Sequence, residues 1–132
     1  MSTAAGPKPD TRRKLRVLVV DDQKDTARML QLFIAGAGHE VQTAGTKAAA
    51  LELAGQTPFD VVVSDLRLPD GSGNELIKEL QARQAIKGIA FTGLSGAEEQ
   101  VTSRAAGFSA LLVKPQGLDS LLETIDRVAA EG

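Results

Sequence analysis

The chain has 132 residues, which suits one ordinary domain with a single hydrophobic core. Its 17 acidic and 15 basic side chains leave a formal charge of −2, so there is no overall basic field to hold a nucleic-acid backbone, and no nucleic-acid partner is predicted. The absence of cysteine excludes a disulfide framework, a thiolate zinc site and thiol catalysis, and it fits a cytoplasmic location.

The first 14 residues contain Pro, Gly, Thr and charged residues where a secretory signal would have an apolar stretch. We therefore predict a disordered tail or linker over residues 1–14 and one domain over residues 15–132. No apolar run approaches the ~20 residues that a membrane-spanning helix needs, so no membrane partner is predicted.

From residue 16 onward, short apolar runs alternate with longer segments that repeat apolar residues every three or four positions. This alternation is typical of an α/β fold with a parallel sheet. The predicted strands are Arg16–Val20, Glu40–Ala44, Asp60–Ser64, Gly88–Thr92 and Ala110–Val113, and the predicted helices are Lys24–Gly36, Thr46–Ala54, Ser72–Gln84, Ser95–Ala106 and Gly117–Ala130.

Two further patterns refine these elements. Four strands are nearly continuous apolar runs, which indicates burial on both faces, whereas Glu40–Ala44 alternates and is predicted to be an edge strand. Serine followed three residues later by glutamate predicts a capping box at Ser72 and another at Ser95.

Polar residues lie at or directly after the ends of four predicted strands. The first strand ends in Asp21-Asp22, the third in Asp65, the fourth in Thr92 and the fifth in Lys114-Pro115. Taken one at a time, such residues commonly form turns or stop strands. Because ligands of open parallel sheets bind outside the carboxyl ends of the strands, the whole set predicts a functional site at this edge.

The three aspartates would repel one another unless a cation lies between them. Magnesium prefers hard oxygen ligands and is usually held by one or two carboxylates together with phosphate oxygens. We therefore predict Mg²⁺ as cofactor, with Asp22 and Asp65 as direct ligands. Asp21 would act through water, and the backbone carbonyl of Arg67 would be the remaining protein ligand.

A carboxylate can also act as a nucleophile and form an aspartyl phosphate. In this hypothesis the metal screens the approach of two anions and stabilises charge on the transferred phosphoryl group. Lys114 and the Thr92 hydroxyl would hold the phosphoryl oxygens that the metal does not reach.

Four segments resemble the response-regulator receiver family of two-component signalling. They are Val-Leu-Val-Val-Asp21-Asp22, Val-Val-Val-Ser-Asp65-Leu-Arg-Leu-Pro69-Asp-Gly-Ser-Gly73, Phe91-Thr92-Gly and Leu-Val-Lys114-Pro115. The resemblance spans residues 15 to 130, and the joint pattern is far more specific than a lone glycine motif. It implies a doubly wound, flavodoxin-like (βα)5 fold with strand order 2-1-3-4-5.

The resemblance also implies roles for individual residues. Asp65 would accept a phosphoryl group from a histidine on a partner kinase or phosphotransfer protein, with Asp21 and Asp22 binding the metal. Lys114 would bridge to the phosphate, Thr92 would move toward it, and Pro115 is a candidate for a cis bond, which proline makes accessible. The domain would be a signalling switch with no external substrate.

One position departs from the family pattern. Three residues before Lys114, where many receivers have a Tyr or Phe that changes rotamer, this chain has Leu111. We therefore predict a small switch on that face and a monomer or weak dimer. Receivers of hybrid histidine kinases often lack this aromatic residue, and the Leu-Pro-Asp-Gly-Ser-Gly loop is similar to theirs.

Two other classes of protein compete with this hypothesis. A degenerate receiver could act as an interaction scaffold without phosphorylation, but the intact acidic cluster argues against it. A flavin-binding or phosphatase-like enzyme could share the fold, but the loop after the first strand reads Asp-Asp-Gln-Lys and is not rich in hydroxyls. Of the remaining residues, His39 is predicted to be exposed and Asp70 to form part of a turn. The four phenylalanines are predicted to be core residues: Phe33, Phe59, Phe91 and Phe108.

Overall fold

A computed structural model describes residues 14–93, 96–114 and 118–131 of the chain. In chain order its elements are β1 (Arg16–Val20), α1 (Lys24–Gly36), β2 (Glu40–Ala44), α2 (Lys47–Gln56), β3 (Val61–Ser64), β4 (Arg67–Leu68), β5 (Gly71–Ser72), α3 (Gly73–Gln81), β6 (Lys87–Thr92), α4 (Ala97–Ala106), β7 (Phe108–Val113) and α5 (Leu118–Ala130). The predicted tail, apart from Lys14, lies outside the described residues.

Five parallel strands form the sheet in the order β2-β1-β3-β6-β7. Counted along the chain as sheet strands one to five, this is the predicted order 2-1-3-4-5, which is confirmed. The alternating strand β2 lies at an edge, as its sequence predicts, and β7 forms the other edge.

The core lies on both faces of the sheet because alternate residues of each strand point to opposite sides. In β1, Val17 and Val19 pack with α1 and α5, whereas Leu18 and Val20 pack with α2 and α3. The side chains of β3 alternate between the same two faces. Burial on both faces explains why these strands have no polar side.

The ends of the helices agree only partly with the sequence prediction. The capping box at Ser72 is confirmed, with the Ser72 hydroxyl and the Glu75 carboxylate each accepting a backbone N–H of the other residue. Ser95 lies outside the described residues, and α4 has Gly96 as its N-cap. Helix α3 ends at Gln81, before the predicted end at Gln84. The Gln84 side chain accepts the backbone N–H of Phe59 and donates to the Ala54 carbonyl of α2.

The short hairpin β4–β5 was not predicted. Arg67 pairs with Ser72 and Leu68 pairs with Gly71, so only Pro69 and Asp70 lie at its tip. Two-residue strands are too short to show a periodicity of two, which explains why the sequence pattern does not predict them. The hairpin leads directly from the end of β3 to the start of α3.

Two sequence predictions about burial are wrong. His39 is buried. Its Nδ1 accepts the backbone N–H of Leu15 at 3.1 Å, and its Nε2 lies 3.9 Å from Asp126 of α5. Phe33, which we expected in the core with the other phenylalanines, is 37% exposed on α1. In the described part of the chain, no helix has the length and apolar character required to cross a membrane.

Candidate functional site

The carboxyl edge of the sheet positions the predicted site residues through the backbone. Asp21, Asp65 and Lys114 each donate their backbone N–H to a carbonyl of the neighbouring strand, at 3.0, 3.0 and 2.8 Å. These bonds continue the parallel ladder by one residue beyond the strand ends. The three side chains therefore leave the same edge of the sheet from fixed positions.

The centre of the site is a three-way ionic contact. Lys114 Nζ lies 2.7 Å from Asp21 Oδ2 and 2.9 Å from Asp65 Oδ2. The side chains of Asp21 and Asp65 are only 2% and 14% exposed. The Lys114 ammonium therefore lies between two of the three aspartates, and its single positive charge offsets one of their two negative charges.

Opposing effects act on the Lys114 ammonium. Partial burial by itself lowers the pKa of Lys114, but the hydrogen bonds and charges of Asp21 and Asp65 together outweigh it and raise the pKa above 10.5. A pKa raised by folding stabilises the native state at pH values below the ordinary one. That contribution is lost as the pH rises through the folded-state pKa.

Each of the two paired aspartates is also oriented by a backbone donor. Asp21 Oδ1 accepts the N–H of Gln23 at 2.9 Å, and Asp65 Oδ1 accepts the N–H of Arg67 at a longer 3.3 Å. One oxygen of each carboxylate thus contacts Lys114 and the other contacts the following loop. Asp22, in contrast, is exposed.

A cleft of about 600 Å³ opens over this edge of the sheet. The predicted site residues that line it are Asp22, Asp65, Arg67, Thr92 and Lys114. Thr92 is 1% exposed at the end of β6. Asp21 lines an adjoining groove beside α1. Pro115 lies outside the described residues.

Leu111 lies in β7 and does not line this cleft. It is partly buried and packs against the hydrophobic cluster on the α2 and α3 side of the sheet. Its side chain also lines a small cavity of about 100 Å³ together with residues of α4, among them Ser103. The position at which many receivers have a switching aromatic residue therefore faces α4 and lies outside the lining of the cleft.

The oxygen groups at the cleft suit a hard cation. Among the described residues no three His, Cys, Asp or Glu side chains form a ready-made metal cluster. Magnesium needs only one or two carboxylates when phosphate and water supply its other ligands. Asp22, Asp65 and the backbone at Arg67 line one cleft and provide such a set, so the residues present fit Mg²⁺.

Gly73 is a site residue whose role the sequence did not predict. It is buried at the first position of α3, and its N–H donates to the Leu66 carbonyl at 2.9 Å. A Cβ built at Gly73 would overlap the Asp65 carbonyl oxygen and lie 3.1 Å from Leu66 Cα. The start of α3 thus touches the backbone of Asp65, and only glycine permits that approach.

Gly73→Ala is expected to displace the Asp65 backbone, since the overlapping atoms belong to the main chain and cannot rotate away. We expect a loss of about 2 kcal/mol in the free energy of unfolding, a typical cost of overpacking. Urea denaturation measures this loss. The matched control is Gly55→Ala in α2, where an added Cβ meets nothing within 4 Å and alanine favours the helix. Equal stability of both variants would contradict the prediction.

Comparison with known proteins identifies the family. The model of the response regulator receiver domain matches residues 17–126. The chain belongs to this family. The receiver domain is also similar in structure to the Vibrio cholerae chemotaxis protein CheY4, with a TM-score of 0.82, 32% sequence identity, and coverage of 88% of this chain and 99% of that chain.

Two curated relatives illustrate the range of proteins that contain similar sequences. The virulence sensor protein BvgS of Bordetella pertussis is 36% identical over an alignment of 138 positions, which covers 98% of this chain and 11% of that protein. The transcriptional regulatory protein KdpE of Mycobacterium tuberculosis is 35% identical over 106 residues, which cover 80% of this chain and 47% of that protein. The receiver domain thus spans about a tenth of BvgS and about half of KdpE.

Proposed function

We propose that this receiver domain is a phosphoacceptor switch of a two-component relay, in which Asp65 takes a phosphoryl group from a histidine of a kinase or phosphotransfer protein. The observation that carries this proposal is the Lys114 ammonium shared by Asp21 and Asp65 beside an open cleft. A lysine held between two carboxylates can exchange one of them for a phosphoryl oxygen, since all three groups are anionic oxygen acceptors. We place the protein in the cytoplasm, where such partners act.

The proposed transfer uses the groups at the cleft. An Asp65 carboxylate oxygen attacks phosphorus while the bond from phosphorus to the histidine nitrogen breaks. Bound Mg²⁺, held by Asp22, Asp65 and the Arg67 carbonyl with Asp21 acting through water, would supply positive charge to the transferred oxygens. Lys114 then binds one phosphoryl oxygen, and the Thr92 hydroxyl donates to another.

Incubation with acetyl phosphate tests the proposal. The protein should gain one phosphoryl group in the presence of Mg²⁺ and none in the presence of a chelator, as read by intact-mass spectrometry. Absence of the adduct under both conditions, from a protein that is folded, would contradict phosphoacceptance. It would favour an interaction scaffold that works without phosphorylation.

Leu111 leads to a prediction about output. A leucine has no hydroxyl to exchange partners, so it provides little difference in interaction between two states, and a population shift needs such a difference. Beryllofluoride, a phosphoryl mimic, should change amide chemical shifts more around residues 67–73 than in β7 and α5. Sedimentation should show a monomer or weak dimer. A tight dimer with its largest shift changes in β7 would contradict this expectation.

A further inference from the structure

Asp70, at the tip of the β4–β5 hairpin, contacts a helix that precedes it by more than 20 residues. Its Oδ1 accepts the backbone N–H of Lys47 at 2.7 Å, and its Oδ2 accepts the backbone N–H of Ala48 at 2.9 Å. Lys47 and Ala48 are the first two residues of α2. The sequence prediction of a simple turn residue is therefore incomplete, because the carboxylate links the hairpin to α2.

The start of a helix is a favourable place for this carboxylate. The first N–H groups of a helix have no partner within it, and the helix dipole attracts negative charge. The hydrogen bonds from Ala48 and Lys47 lower the pKa of Asp70, because they stabilise its charged form. The next N–H of α2, that of Ala49, donates to the Thr46 side chain at 3.0 Å. Helix α2 thus has its own N-cap, independent of the hairpin.

The base of the hairpin contacts Asp65, the proposed phosphoryl acceptor. Arg67 begins β4, lines the cleft, and donates its N–H to Asp65 Oδ1 at 3.3 Å. This distance is longer than that of a good N–H···O bond, so the contact alone holds the hairpin weakly. Ser72, paired with Arg67 across the hairpin, caps α3. The tip, in contrast, is held by two short bonds to a charged group.

The Lys47 side chain strengthens the same corner of the molecule. Its Nζ lies 3.6 Å from Glu75 Oε1 and 3.2 Å from Glu79 Oε2, both on α3. Helix α2 therefore contacts the tip of the hairpin through its backbone and α3 through a side chain. The tip of the hairpin is therefore bonded to a helix that is itself linked to α3.

We propose that Asp70 is a positioning residue for phosphoryl acceptance, which anchors the hairpin tip to α2 and so fixes the Arg67 backbone beside Asp65. The inference rests on the proposed function, because it concerns the same reaction. Without the anchor the hairpin is held at its base and by the buried Leu68 side chain, so the Arg67 backbone is less restrained beside Asp65. Both Mg²⁺ binding and phosphoryl transfer depend on that geometry.

The test compares Asp70→Ala with Thr46→Ala. Both variants remove a cap from the start of α2, but only Asp70→Ala releases the hairpin. Mg²⁺ affinity is measured by amide chemical shifts, since the chain has no Trp or Tyr to report binding by fluorescence. The rate of phosphorylation by acetyl phosphate is measured by intact mass. We expect Asp70→Ala to weaken Mg²⁺ binding about tenfold, as loss of a group that orients a metal ligand typically does, and to slow phosphorylation.

Thr46→Ala should leave both values close to wild type, and Asp70→Asn, which keeps one acceptor oxygen, should lie between wild type and Asp70→Ala. Circular dichroism confirms that the variants are folded. Equal effects of Asp70→Ala and Thr46→Ala on affinity and rate would overturn the inference and leave Asp70 a helix cap. A wild-type protein that gains no phosphoryl group would overturn the proposed function as well, so the two failures are distinguishable.

Discussion

Asp65→Asn is expected to abolish the phosphoryl adduct that the wild-type protein forms with acetyl phosphate and Mg²⁺. An amide in place of the carboxylate removes the nucleophilic oxygen and a charge that would bind the cation. The fold should persist because the Asp65 N–H still continues the ladder and an amide oxygen can still accept from Lys114. Intact-mass spectrometry detects the adduct, and circular dichroism shows whether the variant is folded.

Asp25→Asn is the matched control for this substitution. Asp25 is an exposed aspartate in the first turn of α1 and does not line the cleft. That variant should form the adduct at the wild-type rate. An undiminished adduct in Asp65→Asn would show that another group accepts the phosphoryl.

Lys114→Met is expected to destabilise the metal-free protein by about 3 kcal/mol at neutral pH, the lower end of the range for breaking a buried ion pair. The lower end applies because the lysine side chain is itself 21% exposed. Without its ammonium, the Asp21 and Asp65 carboxyl groups lie close together and shielded from water with no cation between them. Urea denaturation in the presence of a chelator measures the loss.

Two conditions should reduce this loss. Mg²⁺ should stabilise Lys114→Met more than wild type, since a bound cation replaces the missing charge in the folded state only. High pH should also narrow the difference, because the wild-type ammonium loses its proton as the pH rises through the raised pKa of Lys114.

Lys47→Met provides the control for the lysine substitution. Lys47 also bridges two carboxylates, but the side chains of Glu75 and Glu79 are 61% and 41% exposed. Its loss should cost less than about 1 kcal/mol, as for a surface ion pair. Similar losses for the two lysine variants would show that burial of the aspartates does not determine the effect.

The sequence predicted those features that depend on local patterns. Uninterrupted apolar runs such as Val61–Val63 indicated strands buried on both faces, and the residues that follow the strands indicated the edge at which Asp22, Asp65, Thr92 and Lys114 meet. These inferences need only the period of a strand and the rule that parallel strands end at one edge.

Contacts between distant residues could not be predicted in this way. Asp70 bonds a helix start 23 residues earlier, and His39 bonds Leu15, 24 residues earlier. The pairing of Lys114 with two aspartates depends on the distances between strand ends, which no local pattern contains. Gly73 belongs to a segment that resembles the receiver family, but the sequence does not show why a glycine is needed there. The reason is the close contact between the start of α3 and the Asp65 backbone.

The two edges of the sheet differ in how well they resist pairing with another chain. An edge strand carries unpaired backbone groups, and charged side chains on it oppose intermolecular pairing. At the start of β2, Glu40 forms ion pairs with Lys14 and Arg16. Strand β7 has the sequence Phe-Ser-Ala-Leu-Leu-Val with no charge, and α4 and α5 pack against it. Those two helices therefore cover apolar side chains of an edge strand that carries no charge, so local opening of α4 or α5 is expected to favour intermolecular pairing at β7.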